Sequence, residues 1–381
     1  MLKTFRYRLY PSKSQTRQLE SILETCRQMY NGCLAERKAV YEQEKRSVGK
    51  FEQLRHVKGA KQRSTYAKVV HSHILQVAIA DLDKAFQAFF RRVKAGEKPG
   101  YPRFKGKNRF DSFGLKELDN GFKLDGRRLK ISGVGRIAVR WHRELEGQIK
   151  TVRVVRQAGE WFACFSCKVA AQFPLSIAGK DVGIDVGISN LLMLSDGTPV
   201  ANPKWYRQSQ TKLRVIQRKV SRRKLGSGRR KKAVLILQKQ HAKVKNQRKD
   251  FLNKTACALV QANDAVYIED LQIKNMVRNH CLSKSILDAG WGYFRQRLEV
   301  KAAEAGRIVI AIPPAYTSKS CSSCGQIFED LKLSDRWVSC DCGLSLDRDH
   351  NAALNILRIG RVLREKTWPM AASVSREAAG F

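Results

Sequence analysis

Two groups of residues in this chain have the types and spacing that chemistry needs. The first is Cys321-Ser-Ser-Cys324-Gly and Cys340-Asp-Cys342-Gly, with fifteen residues between Cys324 and Cys340. Four thiolates on two tight turns suit a tetrahedral Zn²⁺, and the gap suits a small hairpin. Gly325 and Gly343 each follow the second cysteine of a pair, where a ligand knuckle needs a positive φ. The second pair is C-x-C, which tightens its knuckle. Cys164 and Cys167 share the C-x-x-C spacing but lie in WFACFSCKV, which alternates as a strand. Residues three apart on a strand point to opposite faces, so these two read as strand residues. Cys26, Cys33, Cys257 and Cys281 stand singly and read as packing residues.

The second group is acidic. Asp185 lies on an apolar strand between Gly183 and Gly187. An ionised Asp on a buried strand is expensive unless a cation pairs it, and glycines on either side let another backbone or a phosphate approach. Glu269 ends a second apolar strand, YIED. Asp349 sits in LDRDHNAALNIL, where a polar loop enters an amphipathic helix. Strand ends and a helix start can converge to hold hard divalent cations through oxygen. Two such ions, about 3.5–4 Å apart, would activate a water and stabilise the leaving oxygen of a phosphodiester. Asp347 rivals Asp349 for the third position, and Asp270 reads as a supporting or capping residue.

Charge narrows the substrate. Of 381 residues, 73 are Lys or Arg and 34 Asp or Glu, a formal net charge of +39. A large polyanion is the natural neutraliser of such a chain, and nucleic acid is the commonest. A hydrophobic content of 43% excludes a wholly disordered basic tail. No apolar run reaches the roughly 18 residues of a membrane span, and MLKTFRYRLYP has no signal core, so the expected setting is cytoplasmic. From Gly197 through Lys249 there is no Asp or Glu. Helical spacing of Leu213, Ile216 and Val220, and again of Val234, Leu235 and Leu237, with a break at Gly226-Ser227-Gly228, predicts a basic helical hairpin. Arg222, Arg223, Arg229 and Arg230 are its candidate phosphate contacts.

These residues need a scaffold. Phe5, Tyr7 and Leu9 alternate as a half-buried strand, and Ser12 with Gln15 forms a capping box for a first helix. Basic, turn-rich sequence leads to a second helix from about His71, with Ile74, Val77, Ala78, Leu82, Ala85, Phe86 and Phe89 on one face. From Tyr101 to Val169 five short strands with turns between them predict a small barrel or curled sheet, which the first strand joins. Two strands follow in GKDVGIDVGISNLLMLSDG. A strand over Asp264–Glu269, a helix from Trp291 to Gly306, the strand RIVIAIP, the cysteine cluster and a last helix from Asp347 to about Leu363 complete the order. The tail is expected to be disordered.

The segments GIDVGISNLLMLSDG, YIEDL, YTSKSCSSCG and CDCGLSLDRDHNAALNILR together resemble the TnpB family of transposon-encoded RNA-guided DNA endonucleases, relatives of type V CRISPR effectors. FRYRLYPSKSQ, GYPRFKGK and HSHILQVAIADLDKAF are similar to that family too, so the resemblance covers about residues 1–363. It implies an α/β plus β chain. A β-barrel wedge domain (1–10 and 97–178) would be interrupted by a helical recognition insertion (11–96). An RNase H-like RuvC nuclease domain (179–318 and 345–365) would hold an inserted zinc ribbon (319–344), before a tail at 366–381. The resemblance places the catalytic, Mg²⁺-binding triad on Asp185, Glu269 and Asp349, with Asp347 as a helix cap. It makes the zinc structural. It implies a guide RNA derived from the transposon end and double-stranded target DNA as partners, in a prokaryotic, nucleoid-associated setting. Cleavage would fall beside a short transposon-adjacent motif read by the helical insertion and wedge, where Tyr66, Lys68, Ser72 and Gln76, at or near the start of the second helix, are candidate contacts. Two other readings differ at the acids. A non-cleaving RNA-guided repressor would need the triad broken, and a strand-joining transposase, or a protein assisting one, usually orders it Asp, Asp, Glu.

Overall fold

The computed structural model describes residues 1–170, 174–332 and 334–367. Most of the expected tail, from residue 368, lies outside the described residues. The chain divides into two compact units, Met1–Ala170 and Ala171–Phe381.

The first unit is a mixed, curled sheet with helices on it. β1 (Leu2–Tyr10) is followed by helices α1 (Lys13–Glu44), α2 (Lys50–Arg63), α3 (Thr65–Val69) and α4 (Ser72–Lys94). Then come β2 (Ser112–Leu115), β3 (Glu117–Leu118), β4 (Gly121–Asp125), β5 (Arg128–Ile131), β6 (Gly135–Arg140), β7 (Gln148–Gln157) and β8 (Glu160–Lys168). The strand order is β2-β7-β8-β1-β6-β5-β4-β3, so the first strand is central, antiparallel to β8 and β6. Its inward residues Phe5, Tyr7 and Leu9 are fully buried. The Ser12–Gln15 capping box forms as expected. Cys164 and Cys167 fall on opposite faces of β8.

Two expectations need correction here. The stretch between the first two long helices is helical, not turn-rich. Its α2 buries Gln53 and Val57, and Gln53 joins α2 to α1 by accepting from Arg37 Nε at 2.8 Å and donating to the Cys33 carbonyl at 2.8 Å. A helix whose buried face carries a glutamine has little apolar periodicity to read. Tyr66 and Lys68 therefore sit on the separate helix α3, and only Ser72 and Gln76 open α4. Two further strands, β2 and β3, precede the five expected; Gly114 in β2 lets Val77 of α4 pack against the backbone.

The second unit opens with β9 (Asp181–Val186), β10 (Asn190–Leu194) and a short β11 (Pro199–Ala201) that the sequence did not announce. The basic hairpin is α5 (Trp205–Ser221) and α6 (Gly228–Ala262). β12 (Ala265–Glu269), α7 (Ile273–Met276), α8 (Ser283–Ala289), α9 (Trp291–Ala305) and β13 (Ile308–Ile312) follow. The hairpin strands β14 (Trp337–Ser339) and β15 (Ser345–Asp347) lead into α10 (Arg348–Thr367). The five-stranded sheet runs β11-β10-β9-β12-β13, with β12 parallel to both β9 and β13 and β10 antiparallel to β9. One face packs on α6 and α9 through Val182, Ile184, Val266 and Ile268 against Leu252, Leu259, Phe294 and Leu298. The other face is covered by α10, where Ile356 joins Ala265, Tyr267 and Ile312. Cys281 is exposed, so it is not the packing residue expected.

Candidate metal centre

Strand alternation decides where the acids point. Val182, Ile184 and Val186 are buried in the α6–α9 core, so Gly183 and Asp185 face the side covered by α10. On β12 the same rule puts Val266 and Ile268 in that core and leaves Ala265, Tyr267 and Glu269 facing α10. The parallel register pairs Ile184 with Ile268, so Asp185 and Glu269 are next neighbours on adjoining strands. Asp349 comes in on the first turn of α10. Three acids far apart in sequence are thus brought to one end of the sheet, near enough for Glu269 and Asp349 to act on the charge of Asp185, though not as tightly grouped as the four cysteine thiols.

The approach of α10 depends on glycine. A Cβ on Gly183 would lie 2.2 Å from the Ala353 carbonyl oxygen and 2.6 Å from the Leu357 nitrogen. A Cβ on Gly360 would lie 2.2 Å from the Tyr267 ring. What comes close to Gly183 is therefore a helix backbone. At its far end α10 is held by Arg364, whose Nη1 donates to Asp181 at 3.1 Å. At its near end His350 Nε2 lies 3.2 Å from the Ser195 carbonyl, on the turn after β10. Asp347 Oδ1 accepts from the backbone N–H groups of Asp349 and His350 at 2.9 and 3.1 Å, so Asp347 caps the helix. That engagement leaves Asp349 as the acid free to face the strands. Asp270 turns away into an ion pair with Arg295.

Electrostatics at this point favour a cation. Burial, with the charges of Glu269 and Asp349 beside it, pushes the Asp185 carboxyl up to about 8, although the side chain keeps an opening to solvent. Burial raises Glu269, with the Thr317 hydroxyl pulling the other way. Burial and Asp347 raise Asp349, against Arg336 and Arg348. Like charges crowded into a poorly solvated place cannot all ionise, and a divalent cation relieves both penalties at once.

The cysteine cluster fits a metal by distance. Its four Sγ atoms all lie within 4.8 Å of one another, the only such set of ligand atoms among the described residues. Cys321–Cys342 is 3.6 Å and Cys324–Cys340 is 3.5 Å, against an edge of about 3.8 Å for a tetrahedron of Zn–S bonds about 2.3 Å long. Gly325 and Gly343 have φ of 83° and 88°, as the two knuckles require. Burial opposes ionisation of Cys321, but the N–H groups of Cys324 and Ser323 and the neighbouring thiols bring it down to about 6. Cys340 receives the Cys342 N–H, yet burial and the surrounding thiols push it up to about 12. Cys321 thus forms a thiolate readily, while Cys340 keeps its proton until a positive charge displaces it, as in a metal-binding thiol pair.

Several residues around these two centres were not singled out in the sequence. Thr317, 2% exposed, donates from Oγ1 to Glu269 Oε1 at 2.5 Å. Asn351 and Asn355 of α10 are fully buried and reach the loop before the cysteines. Asn351 Nδ2 donates to the Ser320 carbonyl at 2.8 Å, and its Oδ1 accepts from the Ser322 N–H at 2.8 Å. Asn355 Nδ2 donates to the Thr317 and Ser320 carbonyls at 2.9 and 2.6 Å. Their positions i, i+4 on the last helix were the available clue.

The candidate contacts for nucleic acid are placed as follows. Lys68, Ser72 and Gln76 line one surface hollow with Arg55, Lys58 and Lys61, and Tyr66 is exposed outside it. On the hairpin, Arg222, Arg223 and Arg229 are exposed, whereas Arg230 Nη1 donates to the Val220 carbonyl at 2.6 Å and ties α6 to the end of α5. The root of the hairpin is fixed by Asp288, 7% exposed, which accepts from the N–H groups of Tyr206 and Arg207 at the start of α5. Among the described residues no helix is long and apolar enough to cross a membrane.

Comparison with known proteins agrees with this architecture. Residues 165–280 match the OrfB_IS605 family, described as "Probable transposase", and residues 291–356 match the "Cas12f1-like, TNB domain". Residues 1–46 match a family described as a helix-turn-helix domain, although here they form β1 and the single long helix α1. A Streptomyces pristinaespiralis protein named "Putative RNA-guided DNA endonuclease" is 35% identical over 94% of this chain and 89% of its own length. The Escherichia coli protein "Putative RNA-guided DNA endonuclease InsQ" is 30% identical over 95% of this chain and 93% of its own. In fold, the chain is similar to the mini-RNA-guided endonuclease CRISPR-Cas_phi3, with a TM-score of 0.51 at 10% identity, covering 94% of this chain and 92% of that one. With likeness of this extent, the chain belongs to the OrfB_IS605 family of TnpB proteins.

Proposed function

We propose that this protein is an RNA-guided DNA endonuclease of an insertion sequence, cutting target DNA beside a short transposon-adjacent motif by Mg²⁺-dependent hydrolysis. The observation that carries the reading is that Asp185, Glu269 and Asp349 come to one end of a sheet, where burial and neighbouring like charge oppose the ionisation of Asp185 and a cation would favour it. The names of its relatives supply the substrate class. Asp185 and Glu269 would hold Mg²⁺ from the strand ends and Asp349 from the helix start. Two Mg²⁺ ions held there would supply an activated water and a counter-charge for the leaving oxygen. The chain's own part is to fix these oxygens against a rigid sheet, keep α10 in place through Gly183 and Asp181, and bring phosphate to them with exposed arginines.

The second unit would be a RuvC-type nuclease domain of RNase H-like fold (179–318 and 345–365), with the four cysteines holding a structural Zn²⁺ in a ribbon (319–344). In the first unit, the sheet would be the wedge domain (1–10 and 97–178) and the helices the recognition insertion (11–96). Base pairing by a guide RNA from the transposon end would choose the site, and Tyr66, Lys68, Ser72 and Gln76 would read the flanking motif. The non-cleaving reading has no support at the acids, which are all present and converge.

The test is cleavage of labelled DNA matching the co-purified RNA, with Mg²⁺ or with a chelator in excess. Cutting only with Mg²⁺, and none by Asp185→Ala, is the expected result. Cutting of equal rate by Asp185→Ala would overturn the assignment.

A further inference from the structure

The loop that enters the cysteine cluster also touches the acid cluster. After β13 the chain passes Pro314 and reaches Thr317, buried at 2% exposure, before Ser320 and Cys321. Thr317 Oγ1 has two acceptors within reach, Glu269 Oε1 at 2.5 Å and the Pro314 carbonyl at 3.2 Å. A hydroxyl has one proton to give, and the shorter contact to a carboxylate is the stronger. Glu269 is the last residue of β12, and the pairing of its backbone with Ile312 leaves the orientation of its carboxylate to side-chain partners. Thr317 is such a partner.

The loop is itself held from two sides. Asn355, 1% exposed, grips the carbonyl of Thr317 and that of Ser320. Asn351, 0% exposed, grips the Ser320 carbonyl and the Ser322 N–H, which flank Cys321. A buried amide is kept in a core only when its donors and acceptors are matched, so these bonds have one arrangement.

We propose that Thr317 is a positioning residue for Glu269, and that the Asn351–Asn355 clamp transmits the state of the four-cysteine cluster to the carboxylate centre. The inference rests on the reading of Glu269 as a divalent-cation ligand. A group that orients a ligand is worth about 10–100-fold in metal affinity. Thr317→Val keeps the shape and removes the donor. Thr317→Ser keeps the donor.

The experiment measures Mn²⁺ binding to the full-length protein by electron paramagnetic resonance, with Asp185→Ala as the background for ions held elsewhere. Zinc content is recorded for each variant. Thr317→Val should bind Mn²⁺ at least about 10-fold more weakly with its zinc retained, and Thr317→Ser should bind like the parent. Stripping zinc from the parent with a thiol-reactive mercurial and a zinc chelator should weaken Mn²⁺ binding in the same direction. Parent-like binding by Thr317→Val, or weak binding by Thr317→Ser with zinc in place, would overturn the positioning role. Unchanged Mn²⁺ binding after zinc removal would overturn the coupling. Glu269→Gln separates this from the underlying reading: if it binds Mn²⁺ like the parent, the ligand assignment itself fails, whereas loss in Glu269→Gln alone leaves that assignment standing and removes Thr317.

Discussion

At Asp185 the protein holds a carboxyl whose ionisation the fold opposes, and this has consequences for stability as well as for catalysis. Its ordinary value is 3.8 and the fold raises it to about 8. Between those limits the folded state binds more protons than the unfolded one, so stability falls as pH rises through that window. A divalent cation reverses the balance by stabilising the ionised form. Added Mg²⁺ should therefore raise the melting temperature more at pH 8 than at pH 6, and its binding near neutral pH should release protons, which calorimetry in buffers of different ionisation heat will show. Equal stabilisation at both pH values, with no proton release, would mean that Mg²⁺ does not bind there. Removal of a ligand should cost more than the roughly 100-fold attached to its supporting partners. Asp185→Ala, Glu269→Ala and Asp349→Ala should each drop cleavage below detection and leave RNA and DNA affinity near that of the parent. Asp347→Ala should chiefly weaken the start of α10, by about 1 kcal/mol of stability. Cleavage surviving Asp349→Ala but lost in Asp347→Ala would reverse that assignment. Asp185 and Glu269 stood out in the sequence because an acid at the end of an apolar strand is out of place, whereas the choice of Asp349 over Asp347 rests on resemblance to the family. Thr317, Asn351 and Asn355 did not stand out, because Thr in a loop and Asn in a helix are ordinary until their partners are known.

Among the elements, the cysteine hairpin and the basic hairpin make separate predictions. Elemental analysis should find about one Zn²⁺ per chain. Cys321→Ser should lower it, and Cys164→Ser should not, since Cys164 and Cys167 lie on opposite faces of β8. Zinc lost in Cys164→Ser would contradict the strand geometry. For α5 and α6, the exposed Arg222, Arg223 and Arg229 are the residues to neutralise together. Their replacement by Gln should flatten the dependence of nucleic-acid affinity on salt by up to about one unit per lost phosphate contact. Arg230→Gln is a different experiment, because that side chain caps α5 through the Val220 carbonyl and its loss should loosen the hairpin. An unchanged salt slope in the triple variant would remove the hairpin as a phosphate contact. Elements with a strong apolar period, such as α1, α4 and β8, were readable from the sequence. The helix α2 was not, because the residue it buries most deeply is Gln53, which is at home there through its bonds to α1: Arg37, the Cys33 carbonyl and Glu36.

At the level of the whole molecule, a net charge of +39 and the proposed carboxylate centre point to nucleic acid as substrate, and the names of the relatives suggest a mode of selection. The order of elements along the chain was largely legible, yet the sheet that assembles the acids was not. Nothing local in the sequence pairs Ile184 with Ile268 or lays α10 on Gly183; those contacts join residues more than eighty positions apart, and packing alone decides them. The central claim is that an RNA bound by this chain chooses where the acids cut. The direct measurement is to sequence the RNA that co-purifies with the protein, replace its guide segment, and map cleavage on a DNA library by end sequencing with Mg²⁺ present. Cuts should move with the new guide, keep a constant short flanking motif, and vanish in Asp185→Ala. Cuts that ignore the guide, or that persist after the RNA is digested away, would contradict the account.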